Sequence, residues 1–73
     1  MDDFYEKMAE ILEVDAVNAS DALADFPEWD SLSALQVIAM IGAGYGVHLT
    51  AADLRGIATA QALRDLVAGR RGR

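Results

Sequence analysis

The chain has 73 residues, with 12 Asp and Glu against 6 Lys and Arg, one proline and no cysteine. A net charge of −6 opposes binding to phosphate backbones and anionic membrane surfaces, and the lack of cysteine excludes disulfides and thiolate metal sites. Hydrophobic residues make up 53% of the chain but 14 of them are alanine, so the core is thin and there is room for only one domain.

Charge is unevenly distributed: residues 1–30 hold ten acids and one lysine, whereas residues 31–73 hold two acids and five arginines. No basic leader followed by an apolar run opens the chain, and no apolar stretch approaches the ~20 residues of a membrane span. The expectation is a monomeric cytoplasmic domain with no membrane span and no nucleic-acid partner.

Helical spacing of Phe4, Met8, Ile11 and Leu12 predicts a first amphipathic helix over about residues 2–14, with Asp2 and Asp3 at the positive end of its dipole. From Asp15 to Trp29 the pattern is lost, and Asn18, Ser20, Asp21, Asp25 and Pro27 favour turns. A loop of this length is uncommon in a compact domain and points to function.

Asp30 is placed to cap a second helix over Ser31 to Ile41. At 100° per residue, Leu32, Leu35 and Ala39 fall on one side, while Val37 and Ile41, flanked by Ile38 and Ala34, fall on the other. Both sides are apolar, so one faces the core and the other is buried or faces a partner. Gly42, Gly44 and Gly46 are expected to end this helix. Tyr45, Val47 and Leu49 then alternate, and Thr50-Ala-Ala-Asp53 has the form of a capping box opening a short helix before Gly56. Thr59 can cap a last helix with Leu63, Leu66 and Val67 buried, followed by a disordered basic tail over residues 69–73.

Catalytic constellations are missing. Gly42-Ala-Gly-Tyr-Gly46 lacks the following Lys-Ser/Thr and the helix that a phosphate loop needs. His48 has no fellow histidine or cysteine for a metal, and the scattered carboxylates have no calcium-loop spacing. Ser31 has only carboxylates near it in sequence, not a base suited to activating a nucleophile. No catalytic residue and no metal ligand is expected. Ser31 nonetheless stands out, since a hydroxyl in the first turn of a helix tolerates a covalent anionic group there.

Glu28-Trp-Asp-Ser-Leu32 resembles the Asp-Ser-Leu attachment motif of acyl carrier proteins. From Asp30 to Val67 the order of features is similar to that family: motif, hydrophobic helix, aromatic Tyr45, apolar Val47 and Leu49, short helix, then Ile57 and Thr59 opening the last helix. The resemblance implies an all-α four-helix bundle, three main helices and one short, over residues 1–68. It implies a carrier rather than an enzyme, with 4′-phosphopantetheine on Ser31 between Asp30 and Leu32, and with acyl intermediates carried as thioesters. The implied partners are a phosphopantetheinyl transferase and acyl-loading and acyl-processing enzymes, meeting a surface of Asp25, Glu28, Asp30, Leu32, Leu35, Gln36 and Ala39. Val37, Ile38 and Ile41 are then the core side of the second helix.

Carriers of this kind usually present carboxylates along the second helix, where this chain has Gln36, Gly42, Ala43 and Gly44; Arg55 lies in the third helix region, where acids are also usual, leaving Asp53 as its only acid. That departure implies a specialised carrier, in fatty-acid-like, polyketide or other biosynthesis, with charge-guided docking concentrated in the loop. Carriage of aminoacyl groups shares the same features. An unmodified helical interaction module is the reading from another class. The alanines and glycines further suggest loose packing between the second and third helices, where an acyl chain can enter.

Overall fold

The computed structural model describes residues 3–26 and 29–71. Within them the chain forms α1 (Phe4–Leu12), α2 (Ser31–Tyr45), α3 (Ala51–Arg55) and α4 (Ala60–Arg71), with a 3-10 turn at Leu23–Asp25 in the long connection between α1 and α2. There is no strand among the described residues; an isolated antiparallel bridge joins Ala22 to Thr59. This is the all-α, four-helix arrangement expected from the sequence.

Each main helix buries one stripe into a shared core. Phe4, Met8 and Leu12 come from α1, Val37 and Ile41 from α2, and Leu63 and Val67 from α4, all with no exposed surface. Leu54 of α3 and Leu23, Val17, Val47 and Leu49 of the connections complete it. The α1 stripe follows the helical period, so burying it removes apolar area from water without desolvating Glu6 or Glu10 on the other face.

Three boundaries differ from the sequence expectation. The first helix stops at Leu12, because Glu13 takes a left-handed conformation and its N–H bonds back to the carbonyls of Ala9 and Glu10. The second runs four residues past Ile41: Gly42 and Gly44 lie within it, and only Gly46, at φ 70°, ends it by turning left-handed. Burial of Ile41 and half-burial of Tyr45 carry the helix through glycines that propensity alone would use as a stop.

The third difference is at the carboxyl end, where α4 continues through Gly69 to Arg71 in place of a disordered tail starting at residue 69. Arg70 is held by Asp53, and the Arg71 guanidinium lies 5.7 Å from the centre of the Tyr45 ring, so the last turn has partners that its polar composition hid. Residues 72 and 73 lie outside the described residues. No helix among the described residues is long and apolar enough to cross a membrane.

Candidate functional site

The site begins with the cap of α2. Asp30 is extended, at φ −140° and ψ −170°, and its Oδ1 accepts a hydrogen bond from the Ser33 N–H at 2.9 Å. This satisfies one of the amides that a helix start leaves without a partner and fixes Ser31 as the first helical residue. Ser31 is exposed, and its hydroxyl has no hydrogen-bond partner among the described residues.

The connection leading to Ser31 is attached to the far end of the chain. The Leu23 N–H donates to the Ala58 carbonyl at 3.0 Å, the Ala60 N–H to the Asp21 carbonyl at 3.0 Å, and the Gln61 N–H to the Ala19 carbonyl at 2.9 Å. The Asn18 N–H donates to Asp21 Oδ2 at 2.8 Å. Turns then run forward through Asp25 to Ala22, Phe26 to Leu23 and Trp29 to Phe26, bringing Trp29 and Asp30 up to α2. Loop carbonyls thus cap the amides opening α4, beside the Thr59 Oγ1 cap on the Ala62 N–H at 3.2 Å.

Beside Ser31 is a cleft of about 300 Å³. Trp29, Asp30, Ser31, Ala34 and Leu35 form one side, and Ala51, Leu54 and Arg55 of α3 form the other. The small side chains Ala34 and Ala51 leave the space. The gap between α2 and α3 expected from the sequence therefore exists, but it opens at the first turns of α2 and not at the glycines.

A reciprocal box holds α3: the Asp53 N–H donates to Thr50 Oγ1 at 3.2 Å, and the Thr50 N–H to Asp53 Oδ2 at 3.0 Å. The Thr50 N–H and then the Arg70 guanidinium hold the Asp53 carboxyl below its ordinary value. At the opposite end of α2, the Tyr45 hydroxyl donates to Asp3 at 2.9 Å. Burial, with Asp3 second, pushes the Tyr45 phenol up to about 12, and the same hydrogen bond holds Asp3 below its ordinary value.

The residues singled out in the sequence divide accordingly. Asp30, Ser31 and Leu35 line the cleft, and Leu32 stands 64% exposed beside them. Leu32, Leu35, Gln36 and Ala39 recur at helical spacing, and all four are exposed, with Leu35 at 58%. On the opposite side of α2, Val37 and Ile41 are buried and Ile38 is half-buried. Asp25 ends the 3-10 turn, exposed and away from the cleft, and Glu28 lies outside the described residues. Sequence reasoning did not place Trp29, Ala34, Ala51, Leu54 or Arg55 at the site. For Ala34 the signal was present, one helical turn beyond Ser31; for the α3 residues only the packing of α3 on α2 reveals it.

An exposed serine hydroxyl in the first turn of a helix, with a largely apolar cleft beside it, fits a phosphodiester-linked arm: the positive end of the helix dipole suits the anion and the cleft accepts an apolar extension. No group of acidic or histidine side chains able to hold a metal occurs among the described residues.

Comparison with curated proteins and with solved structures returns no match. The family model for the phosphopantetheine attachment site, by contrast, matches residues 2–67, nearly the whole chain. Members of that family carry 4′-phosphopantetheine covalently and interact with a phosphopantetheinyl transferase and with biosynthetic enzymes. The chain belongs to the phosphopantetheine attachment-site family and is a carrier-protein domain.

Proposed function

We propose that the chain is an acyl carrier whose 4′-phosphopantetheine is attached at Ser31, and that it serves a specialised pathway of fatty-acid-like or polyketide type. The observation carrying this reading is the exposed Ser31 hydroxyl at the mouth of an apolar cleft. When bound, the arm supplies a terminal thiol on which acyl groups are held as thioesters.

The chain's own residues contribute position and recognition. Asp30 fixes the start of α2 through Ser33, so that Ser31 projects outward with its hydroxyl available to a transferase. Leu32, Leu35, Gln36 and Ala39 form the face that partner enzymes read, extended by the acids Asp25, Glu28 and Asp30. Ala34, Leu35, Ala51 and Leu54 offer an apolar wall on which the first carbons of an acyl chain can be screened from water. That wall favours acyl over aminoacyl cargo, since a charged amine gains nothing from it.

The test is intact-mass measurement after incubation with coenzyme A and a broad-specificity phosphopantetheinyl transferase. A phosphopantetheine-sized gain in the wild type and none in Ser31→Ala is the expected result; a gain in both moves the attachment site elsewhere. Loading the holo protein with acyl and aminoacyl groups and following hydrogen exchange in residues 32–57 then separates the cargoes. Protection that grows with acyl length supports the cleft as the acyl site, and unchanged exchange removes it.

A further inference from the structure

The cleft beside Ser31 holds one feature that acyl carriage does not use. Among its described lining residues, the charged side chains are Asp30 and Arg55. The Asp30 carboxylate is engaged through Oδ1 with the Ser33 N–H. Arg55, the last residue of α3, is exposed and has no hydrogen bond, ion pair or ring contact among the described residues. This sets it apart from Lys7, paired with Asp3 and set against the Tyr45 ring, from Arg70, paired with Asp53, and from Arg71, which also faces that ring; Arg64 of α4 likewise has no such partner among the described residues, but it is half-buried and outside the cleft.

Its location is also fixed. The Thr50–Asp53 box closes the front of α3, and the Arg70 bridge holds Asp53 from α4, so the helix bearing Arg55 is braced from two directions. No charged residue occurs in α2, Ser31 to Tyr45. A phosphodiester on Ser31 would therefore bring a negative charge close to the Asp30 carboxylate, and α2 has no cation to offset it. A guanidinium presents paired N–H donors in the geometry that phosphate oxygens accept, and does so at every physiological pH.

We infer that Arg55 is a positioning residue for the prosthetic arm: its guanidinium binds the phosphodiester on Ser31 and lays the arm across the α2–α3 cleft. This rests on Ser31 as the attachment site. It assigns to α3 a role in holding the arm itself, beyond walling the space for cargo. It also gives a physical reason for an arginine in a helix region where the resemblance implies acids.

The experiment uses full-length protein in apo and holo forms, the holo form verified by intact mass, for wild type, Arg55→Gln, Arg55→Lys and Arg64→Gln. The last removes the same charge from a half-buried side chain outside the cleft. The Arg55 Nε–Hε resonance, assigned by its loss in Arg55→Gln, is followed by nuclear magnetic resonance, together with the ³¹P resonance of the holo forms. The expected result is a displaced Arg55 resonance on conversion to holo protein. The ³¹P resonance should move in Arg55→Gln relative to wild type, partly return in Arg55→Lys, and stay unmoved in Arg64→Gln. Salt should shrink the difference between wild type and Arg55→Gln, as for an ion pair open to solvent.

An Arg55 resonance unchanged by phosphopantetheine, with identical ³¹P resonances in wild type and Arg55→Gln, overturns the proposal. So does a response that appears only when a succinyl thioester is loaded, which would assign Arg55 to a carboxylate on the cargo. A missing mass gain removes the Ser31 reading and this inference with it, whereas a mass gain with an indifferent Arg55 removes this inference alone.

Discussion

Arg70 grips Asp53 with both arms of its guanidinium, Nη1 to Oδ2 and Nη2 to Oδ1, each at 3.2 Å, and so ties the end of α4 to the middle of α3. Nη1 also donates to the His48 carbonyl at 3.4 Å. Because α3 walls the cleft beside Ser31, a side chain in the last turn of α4 helps fix the shape of the site.

Substitutions at the two partners should be unequal. Arg70→Ala loses a partly exposed ion pair and should cost less than about 1 kcal/mol. Asp53→Ala loses that pair and the reciprocal cap with Thr50, and should cost more than Arg70→Ala. Urea unfolding of the two variants and the double mutant measures both terms, and equal losses would mean that the cap contributes nothing.

Stability should fall at both extremes of pH, by different groups. Asp53 and Asp3 are lowered in the folded state, so their contribution is present above the unfolded value near 3.8 and is lost as acid protonates them. Tyr45 is raised to about 12, so its contribution is complete below the unfolded value of 10 and is lost as pH rises from there through 12. Melting temperatures from pH 9 to 12 should fall more steeply for wild type than for Tyr45→Phe. Parallel curves would show that the phenol is indifferent to folding.

The glycines within α2 and at its cap should respond to alanine with opposite signs. Gly46, at φ 70°, is strained by any side chain, and Gly46→Ala should cost about 1 kcal/mol. At Gly42 a new Cβ meets the Val47 carbonyl oxygen at an ordinary 3.9 Å. Gly42→Ala should therefore gain up to about 1 kcal/mol from helix propensity. At Gly44 the Cβ would lie 3.2 Å from Lys7 Nζ, the movable end of a flexible chain, so Gly44→Ala should be neutral or stabilising. Thermal unfolding of the three variants checks the order.

The two sides of α2 should separate folding from docking. Ile41→Ala empties a fully buried position and should cost about 2–5 kcal/mol, a large share of what a domain this small possesses. Leu35→Ala, on the exposed side, should leave unfolding nearly unchanged while raising the KM of the transferase several-fold. Circular dichroism melts beside transferase kinetics read the contrast; a melt lowered as far by Leu35→Ala as by Ile41→Ala would show that this face supports the fold and not the partner.

Docking along α2 should also be weakly sensitive to salt, because the helix has no charged residue. Raising ionic strength from 0.05 to 0.5 M, about a threefold shortening of the screening length, is expected to alter transferase KM by less than about threefold. A steep dependence would assign the larger share of recognition to Asp25, Glu28 and Asp30 and the smaller to α2.

Much of this was legible in the residues. Phe4, Met8 and Leu12 declare α1 through their period, and Asp30 and Thr50 declare the starts of α2 and α3 because capping is local chemistry. The extent of α2 was not legible: local propensity reads Gly42 and Gly44 as stops, and only the long-range contacts of Ile41 and Tyr45 overrule it. Arg70 and Arg71 read as solvated tail for the same reason, as Asp53 and Tyr45 are distant in sequence. At the site, Ser31 and its cap could be read from one short stretch, whereas Arg55 enters only through the packing of α3 against α2.

The three backbone hydrogen bonds that join residues 19–23 to residues 58–61 bear on the order in which the protein matures. A chain emerging from the ribosome has made Ser31 long before Ala58, yet the segment approaching the serine finds its backbone anchors only once the start of α4 has been translated. A nascent chain halted before Ala58 forfeits all three bonds together. The stretch that leads to Ser31 is therefore made early and placed late.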